Sequence, residues 1–306
     1  MDNLLTVAQQ VAILFVLMGF GAVMRRAKFF EGNAIDGIVN VLILVVTPCL
    51  IVDVFQRPFD PSKLKGLGCA FVLAVLIHVV LIVLSRFVVR HRDENVRRPL
   101  RLAAVFSNAG FMGIPLEQAI LGDAGVFYGV VYIVVFNHFM WSWGLKTMSG
   151  DMNRLKMWVT PGTVGLALGA PLFFLSVKLP AVIGVPVHHM ANLNTPLAMI
   201  VIGYALAGAE FGKVLRTGAV YVATVVRLVA CPLLAIAALY PFRAALDRNM
   251  MLAMVIAASA PVAAMVSMFA AKFGRDVDVS VAVVSGTTLL SILTMPVVIA
   301  LAMAVL

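Results

Sequence analysis

Long apolar runs, separated by short polar or charged stretches, make up almost the whole chain. A helix needs about 20 mostly apolar residues to cross a bilayer, and segments of roughly that length recur along the sequence. The predicted spans are residues 5–24, 35–55, 67–90, 100–121, 124–146, 158–177, 181–209, 217–241, 249–271 and 277–304. The pattern therefore predicts an all-α polytopic membrane protein with ten transmembrane helices.

Composition supports this class and excludes others. Apolar residues are 62% of the 306 positions and charged residues 12%, against roughly half and a quarter in soluble domains. A soluble enzyme, a nucleic-acid-binding module and a disordered chain are therefore not expected. Cys49, Cys69 and Cys231 lie in apolar stretches without metal-type or disulfide spacing, so the sequence predicts no metal and no cofactor.

Basic residues are distributed unevenly between the loops. Of the 23 lysines and arginines, 16 fall in the alternate loops that begin with Arg25–Arg26, and six fall in the opposite loops. Because cytoplasmic loops are enriched in basic residues, we expect a cell-membrane protein with both termini outside. The basic stretch 86–101 is interpreted as part of this orientation signal, with an anionic-lipid patch as the alternative.

Two halves of opposite orientation follow from the span count. Five spans precede the loop near 147–157 and five follow it, which permits an inverted repeat of residues 1–150 and 151–306. Three residue pairs recur at similar offsets. They are Thr47-Pro48 with Thr195-Pro196 at 148, Pro115 with Pro261 at 146, and His78 with Arg227 at 149.

Spans four and nine contain residues that interrupt helices. Span four carries Ser107-Asn108-Ala109-Gly110-Phe111-Met112-Gly113-Ile114-Pro115, and span nine carries Ala258-Ser259-Ala260-Pro261. Proline deletes a backbone hydrogen bond, and the freed groups must find partners or line a wet cavity at membrane depth. A packed kink is the simpler interpretation of either span, but the pair predicts two discontinuous helices.

These two motifs resemble the fourth- and ninth-span signatures of the auxin efflux carrier family of bacterial and plant transporters. The resemblance extends over essentially the whole chain, without the long cytoplasmic loop of many plant members. It implies a scaffold part of spans 1, 2, 6 and 7 and a transport part of spans 3–5 and 8–10. It also implies that helices four and nine cross at their prolines, that substrate binds near the crossing and that the transport part moves as an elevator. Bacterial relatives are associated with organic acids such as malonate and malate.

The residues themselves favour an anion site at these breaks. Half-helices that begin near Pro115 and Pro261 would present unpaired N–H groups and a partial positive charge to a carboxylate. The Asn108 amide and the serine hydroxyls could add hydrogen bonds. The predicted substrate-binding residues are Ser107, Asn108, Gly110, Gly113, Pro115, Ser259, Pro261 and Arg227.

Arg227 and three other ionisable residues need separate interpretation. An arginine in mid-span costs at least about 2.5–3.5 kcal/mol, so Arg227 needs a partner. It either clamps a carboxylate or pairs structurally with an acid such as Glu117 or Glu210. Glu117 could cap a helix turn or carry a proton. His78 and His138 are further coupling-ion candidates, with hydrogen-bonded packing as the simpler role.

The leading functional hypothesis is a secondary transporter of a small organic anion. Its predicted partners are that substrate and the lipid bilayer, with no nucleic acid, and a homodimer is one assembly left open. A passive channel or a membrane sensor for organic acids is the alternative. An intramembrane enzyme is disfavoured because no catalytic motif lies in a span, and an ATP-driven pump because no phosphate-binding loop exists.

Overall fold

The computed structural model describes residues 2–30, 34–150, 160–208 and 217–306, and most of these residues are helical. We number the helices α1 to α12, counting a helix interrupted by a π-helical turn or a single-residue kink as one. They are α1 Asp2–Arg26, α2 Ala34–Val54, α3 Pro61–Val88, α4 Glu94–Val105, α5 109–121, α6 Asp123–Ser149, α7 Pro161–Phe174, α8 181–206, α9 Gly218–Phe242, α10 Arg248–Ser259, α11 Met265–Lys272 and α12 Val277–Val305. Glu210 and the loop 151–157, named above, lie outside the described residues.

Six of the described helices are long and apolar enough to cross a membrane by themselves, namely α1, α2, α3, α6, α9 and α12. Helices α7 and α10 are shorter and also apolar. Large apolar side chains on α3, such as Phe71, Leu76 and Val83, are about half exposed, as lipid-facing positions are. The chain is thus an all-α polytopic membrane protein.

Polar caps set where several of these helices begin. The Asp60 carboxylate accepts the Ser62 N–H at 2.9 Å at the start of α3, and Pro61 occupies the first helical turn. Thr160 and Thr163 cap each other reciprocally at the start of α7. Each cap satisfies amide groups that have no partner inside the helix. Polar residues in the short loops therefore specify where these helices begin.

Proline widens three helices instead of breaking them. π-helical turns at Leu42–Val46, Ala109–Gly113 and Val226–Ala230 each end just before a residue followed by proline, at Pro48, Pro115 and Pro232. Since proline cannot donate to the carbonyl four residues earlier, a wider turn relieves both the missing bond and the ring clash. In α2 the Thr47 hydroxyl also donates to the Leu42 carbonyl at 2.9 Å.

For description the helices are divided into two groups, which also contact each other, as α1 contacts α12. We call α1, α2, α7 and α8 the scaffold group, and α3–α6 with α9–α12 the crossing group. In the scaffold group α1 packs on α8, and α2 packs on α7 and α8. A Cβ on Gly21 or Gly203 would overlap the backbone of the opposite helix, so these glycines allow the close approach of α1 and α8. The crossing group packs chiefly through α6 on α3 and α10, and through α12 on α10 and α11.

Candidate functional site

The first break separates α4 from α5. Helix α4 ends at Val105, Phe106 adopts extended backbone angles, and the next helix begins at residue 109 with Asn108 at its N-cap position. The break therefore lies several residues before Pro115, where the sequence analysis had placed the start of the second half-helix. Pro115 is inside α5, directly after the π-helical turn. Asn108 and Gly110 are poor helix formers, which accounts for the earlier break.

The second break separates α10 from α11. Helix α10 ends at Ser259, Ala260 is extended with φ −60° and ψ 147°, and α11 begins at Met265. The residue before a proline avoids helical angles, so Pro261 explains the end of α10. Val105 and Ser259, the last residues of α4 and α10, are 154 positions apart. Pro115 and Pro261, separated by 146, consequently do not occupy matching places in the two broken helices.

The two breaks bond to each other through their backbones. The Asn108 N–H donates to the Pro261 carbonyl at 2.7 Å, and the Ala263 N–H donates to the Phe106 carbonyl at 3.0 Å. Ser107 and Val262 face each other in this short antiparallel bridge. The Val262 N–H donates to Thr287 Oγ1 of α12 at 3.1 Å. These bonds give partners to the N–H and C=O groups of the extended segments. Without partners, such groups would cost free energy at membrane depth.

Arg227 of α9 bonds to the C-terminal carbonyl groups of α4 and α10, the helices that lead into the two breaks. Its Nη1 donates to the Val105 carbonyl at 2.8 Å, and its Nη2 donates to the Ala258 carbonyl and contacts Cys231 Sγ. The side chain is fully buried. A cation at the C-terminal ends of α4 and α10 offsets the negative ends of two helix dipoles. The partner of Arg227 is therefore this pair of carbonyl ends, and Glu117 does not pair with it.

A small cavity of about 50 Å³ adjoins the N-terminal ends of α5 and α11, the helices that follow the two breaks. Asn108 and Gly110 of the first break and Ala263, Ala264 and Met265 of the second line it. The first N–H groups of a helix have no intrahelical partner and carry partial positive charge. Both helix starts therefore present electropositive backbone to the same cavity.

Polar but uncharged side chains complete this cavity. Its polar lining residues are Thr47, Ser107, Asn108, Asn137 and Asn194. Asn194 Nδ2 donates to the Gly110 carbonyl at 3.1 Å, and Asn137 Nδ2 donates to the Ile133 carbonyl at 3.0 Å. The Asn108 amide makes no side-chain hydrogen bond to any described residue and is only 6% exposed. An unbonded amide beside two helix starts suits a small anion.

The cavity includes some of the predicted binding residues and not others. Ser107, Asn108 and Gly110 line it; Gly113, Pro115, Ser259, Pro261 and Arg227 do not. Gly113 instead packs against Ala257 of α10, and the Ser259 hydroxyl donates to the Ile256 carbonyl at 2.8 Å. Thr47 and Asn194 come from the scaffold group and were not predicted as binding residues. Each lies just before or within a Thr-Pro pair, so the recurrence of that pair was the signal that could have identified them.

A larger cavity of about 520 Å³, which we call the vestibule, adjoins the small one and shares Leu50 and Asn194 with it. Its ionisable lining residues are Asp53, Arg57, Asp123 and His188. His188 Nδ1 lies 3.0 Å from Asp53 Oδ2. The Arg57 guanidinium lies 4.6 Å from the Phe127 ring centre and bonds to the Val54 and Asp123 carbonyls. The vestibule is thus lined by charged residues, whereas the small cavity beside it has only uncharged lining residues.

The three coupling-ion candidates occupy different surroundings. His78 is buried among Phe106, Tyr132, Phe136 and Phe139, and its Nδ1 lies 2.8 Å from the Ala74 carbonyl. His138 is half-buried on α6, and its carbonyl accepts the Ser142 hydroxyl. Glu117 of α5 is fully buried, and neither carboxyl oxygen has a hydrogen-bond partner among the described residues. Glu117 therefore does not cap its helix turn.

Comparison with known families identifies the chain. The model of the family described as membrane transport protein matches residues 6–158 and again residues 149–299, so each half of the sequence carries one copy. No curated protein matches the chain. The two copies together cover most of the sequence, and the chain belongs to this family, the auxin efflux carrier family. It is a family of transporters and not of enzymes.

Proposed function

We propose that this member of the membrane transport protein family is a secondary transporter of a small organic anion, a carboxylate of the malonate or malate type. The anion binds in the small cavity between the scaffold group and the two breaks. The observation that carries this proposal is the convergence of two helix starts and the unbonded Asn108 amide on one cavity whose lining bears no full charge. Such a site attracts a carboxylate and still releases it, because no fixed cation holds it.

The proposed mechanism is alternating access of the elevator type. The site has walls from both groups, since Thr47 and Asn194 belong to the scaffold group and Ser107, Asn108 and Ala263 to the crossing group. A shift of the crossing group would carry the bound anion away from the scaffold walls and from the vestibule. Ten spans in two inverted halves, residues 1–150 and 151–306, provide the symmetry for two such positions.

Transport assays in liposomes test this function. Purified protein is reconstituted into liposomes, which are loaded with unlabelled malonate or malate. Uptake of the labelled acid from outside is then followed. A carrier transiently accumulates label above its external concentration by counterflow. A passive channel only equilibrates the label, and a sensor gives uptake equal to that of protein-free liposomes. Either result with both acids would reject the proposed carrier of this substrate class.

The membrane orientation is a separate part of the proposal, with both termini outside the cytoplasmic membrane. It rests on the excess of basic residues in the loops assigned to the cytoplasm. We expect a cysteine added after Leu306 to react with a membrane-impermeant thiol reagent in intact cells. Cys49, Cys69 and Cys231 are replaced by alanine so that the added thiol alone reports. Labelling that occurs only after lysis would reverse the orientation.

A further inference from the structure

We propose that Glu117 binds and releases the proton that accompanies the anion through the transport cycle. This inference rests on the proposed function and deepens it by assigning the coupling ion and its binding group. It also separates Glu117 from His78 and His138, which the sequence left as further candidates with packing as their simpler role.

Glycines make the room that the Glu117 carboxyl occupies. A Cβ built on Gly129 of α6 would overlap Oε2, and a Cβ on Gly113 would lie 3.9 Å from Oε1. Gly113 in turn faces Ala257 of α10. The carboxyl thus lies in the contact between α5, α6 and α10, enclosed by backbone and fully shielded from solvent.

No described group compensates a negative charge at this position. The helices packed against α5 are α1, α6, α8 and α10. Their other described ionisable groups are Arg25 and Arg26 on α1; Asp123, Tyr128, Tyr132, His138 and Lys146 on α6; His188, His189 and Tyr204 on α8; and Arg248 on α10. None forms an ion pair or hydrogen bond with Glu117.

Several of these groups are bonded elsewhere. Asp123 accepts a bond from Gln118 at 3.0 Å, and Tyr128 donates to Asp247 at 3.3 Å. Arg248 donates to the Met303 carbonyl at 2.7 Å. Burying an ionised carboxylate without a partner is strongly unfavourable. The conformation seen here therefore holds Glu117 as the neutral acid, with its proton bound.

Release of that proton requires the helices around Glu117 to separate within the crossing group, because α5, α6 and α10 all belong to it. Gly110 lines the anion cavity, Gly113 and Glu117 follow on the same face of α5 one and two turns later, and this face packs on α6 and α10. Loosening of the packing around Gly129 would admit water to the carboxyl. The proton then passes from Glu117 to water, leaving a carboxylate that is stable only while hydrated. Return to the packed conformation requires a proton to be bound again.

Proteoliposome assays with Glu117→Gln separate coupling from substrate binding. Glutamine keeps the shape and removes the titratable group. We expect the variant to retain malonate counterflow, which needs no net proton movement, and to lose malonate accumulation driven by an inward proton gradient. Glu117→Asp keeps an acid and should retain gradient-driven accumulation. Asp278→Asn, an exposed acid in the first turn of α12, is the matched control and should behave as the wild type.

Four outcomes would overturn the proposal. One is gradient-driven accumulation by Glu117→Gln at the wild-type level. Another is loss of that accumulation in His78→Gln while Glu117→Gln retains it. The third is accumulation driven by a sodium gradient and independent of pH, because a sodium ion would then be the coupling ion. Loss of counterflow in both Glu117 variants, with unchanged elution on size exclusion, also counts against it, since Glu117 would then serve binding or packing.

A wrong substrate class can be distinguished from a wrong proton site. If the wild type shows no counterflow of malonate or malate, the proposed substrate is wrong and the proton site is tested without transport. Infrared difference spectra between neutral and alkaline pH should then show the carbonyl stretch of a protonated carboxylic acid in the wild type. This band should be missing in Glu117→Gln and present in Asp278→Asn. Identical spectra for the wild type and Glu117→Gln would overturn the proton site.

Discussion

The breaks in the two halves of the chain share a backbone arrangement and differ in chemistry. Each consists of a helix that ends at Val105 or Ser259, a short extended segment, and a second helix that begins at 109 or 265. Arg227 binds a carbonyl at the end of each first helix, and the extended segments bond to each other. The shared arrangement gives hydrogen-bond partners to backbone groups that the breaks would otherwise leave unpaired at membrane depth.

The residues that create the breaks are different. The first break contains Ser107, Asn108 and Gly110, and its second helix carries the buried Glu117. The second break is the apolar segment Ala260-Pro261-Val262-Ala263-Ala264, stabilised by the Thr287 hydroxyl from α12. The comparison indicates that the first break supplies polar side chains to the site, whereas the second break supplies backbone groups. Arg227 secures the helix ends that precede both breaks.

Replacing Arg227 should have the largest effect, because it serves both breaks. Arg227→Leu leaves two buried carbonyl ends without their donor, and hydrogen bonds to a charged group contribute about 1.5–3 kcal/mol each. We expect a large fall in the thermal unfolding midpoint of the detergent-solubilised protein. Arg248→Leu is the control, since Arg248 bonds a single carbonyl and is exposed. Equal midpoints for the two variants would remove Arg227 from the shared architecture.

Proline replacement should distinguish the two breaks. Pro261 lies in an extended segment. Alanine is more favourable than proline in a helix by about 3 kcal/mol, so Pro261→Ala would favour a continuous helix over the hydrogen bonds that join the two breaks. We therefore expect Pro261→Ala to abolish malonate counterflow. Pro115→Ala only tightens a π-helical turn and should reduce counterflow less. Both are measured at matched protein amounts. A more severe defect in Pro115→Ala would mean that the π-helical turn, and not the extended segment, forms the site.

Asn108→Ala tests whether side-chain chemistry is concentrated in the first break. Loss of one polar contact to a charged ligand weakens binding by about 1–3 kcal/mol, roughly 5- to 150-fold in affinity. The expected result is weaker malonate binding by isothermal titration, with an unchanged unfolding midpoint. Asn249→Ala, at the start of α10 and outside both cavities, is the control. Unaltered affinity in Asn108→Ala would exclude this amide from the site.

The smallest effects are expected at the capped starts of α4 and α10. The Asp93 carboxylate accepts the Asn95 N–H at 2.8 Å. The Asp247 carboxylate accepts the Met250 N–H at 3.1 Å and also bonds to Lys63 and Tyr128, each at 3.3 Å. Cap removal costs about 0.5–2 kcal/mol. Asp247→Ala should therefore lower the unfolding midpoint more than Asp93→Ala. The reverse order would show that the additional contacts of Asp247 contribute no stability.

The Asp247 contribution should also depend on pH. Partial burial acts to raise the pKa of this carboxyl, but the Met250 N–H and the Lys63 ammonium outweigh it, so the pKa lies below the ordinary 3.8. A carboxyl with a lowered pKa stabilises the fold above its unfolded-state pKa, and this stabilisation is lost as the pH falls through the folded value. The difference in midpoint between wild type and Asp247→Ala should thus be full at pH 7 and shrink in acid below about pH 4.

Sequence reasoning located the two helix interruptions to within a few residues but misassigned the boundaries of the first. The low helix propensity of Asn108 and Gly110 identified the first break, yet the rule that proline breaks helices placed its end at Pro115. In the folded chain a π-helical turn absorbs that proline. At Pro261 the same rule was correct, because no widened turn accommodates it and the neighbouring break offers bonds to an extended segment. Whether a proline widens or ends a helix depends on which partners its freed groups find.

Hydrophobic periodicity, composition and the Asn108-Ala109-Gly110 and proline motifs indicate by themselves an all-helical membrane protein with two interrupted helices, and the resemblance of those motifs to the auxin efflux carrier signatures identifies it as a transporter. Those structural properties follow from the free-energy cost of exposing polar backbone groups and charges to lipid. This cost depends on the residues of each segment alone, so it can be read from the sequence. Only the tertiary structure decides that Arg227 binds two helix ends, that Thr47 and Asn194 join the site from the scaffold group, and that Glu117 lacks a partner. Those relations join residues that are distant along the chain, and they arise from how the helices pack.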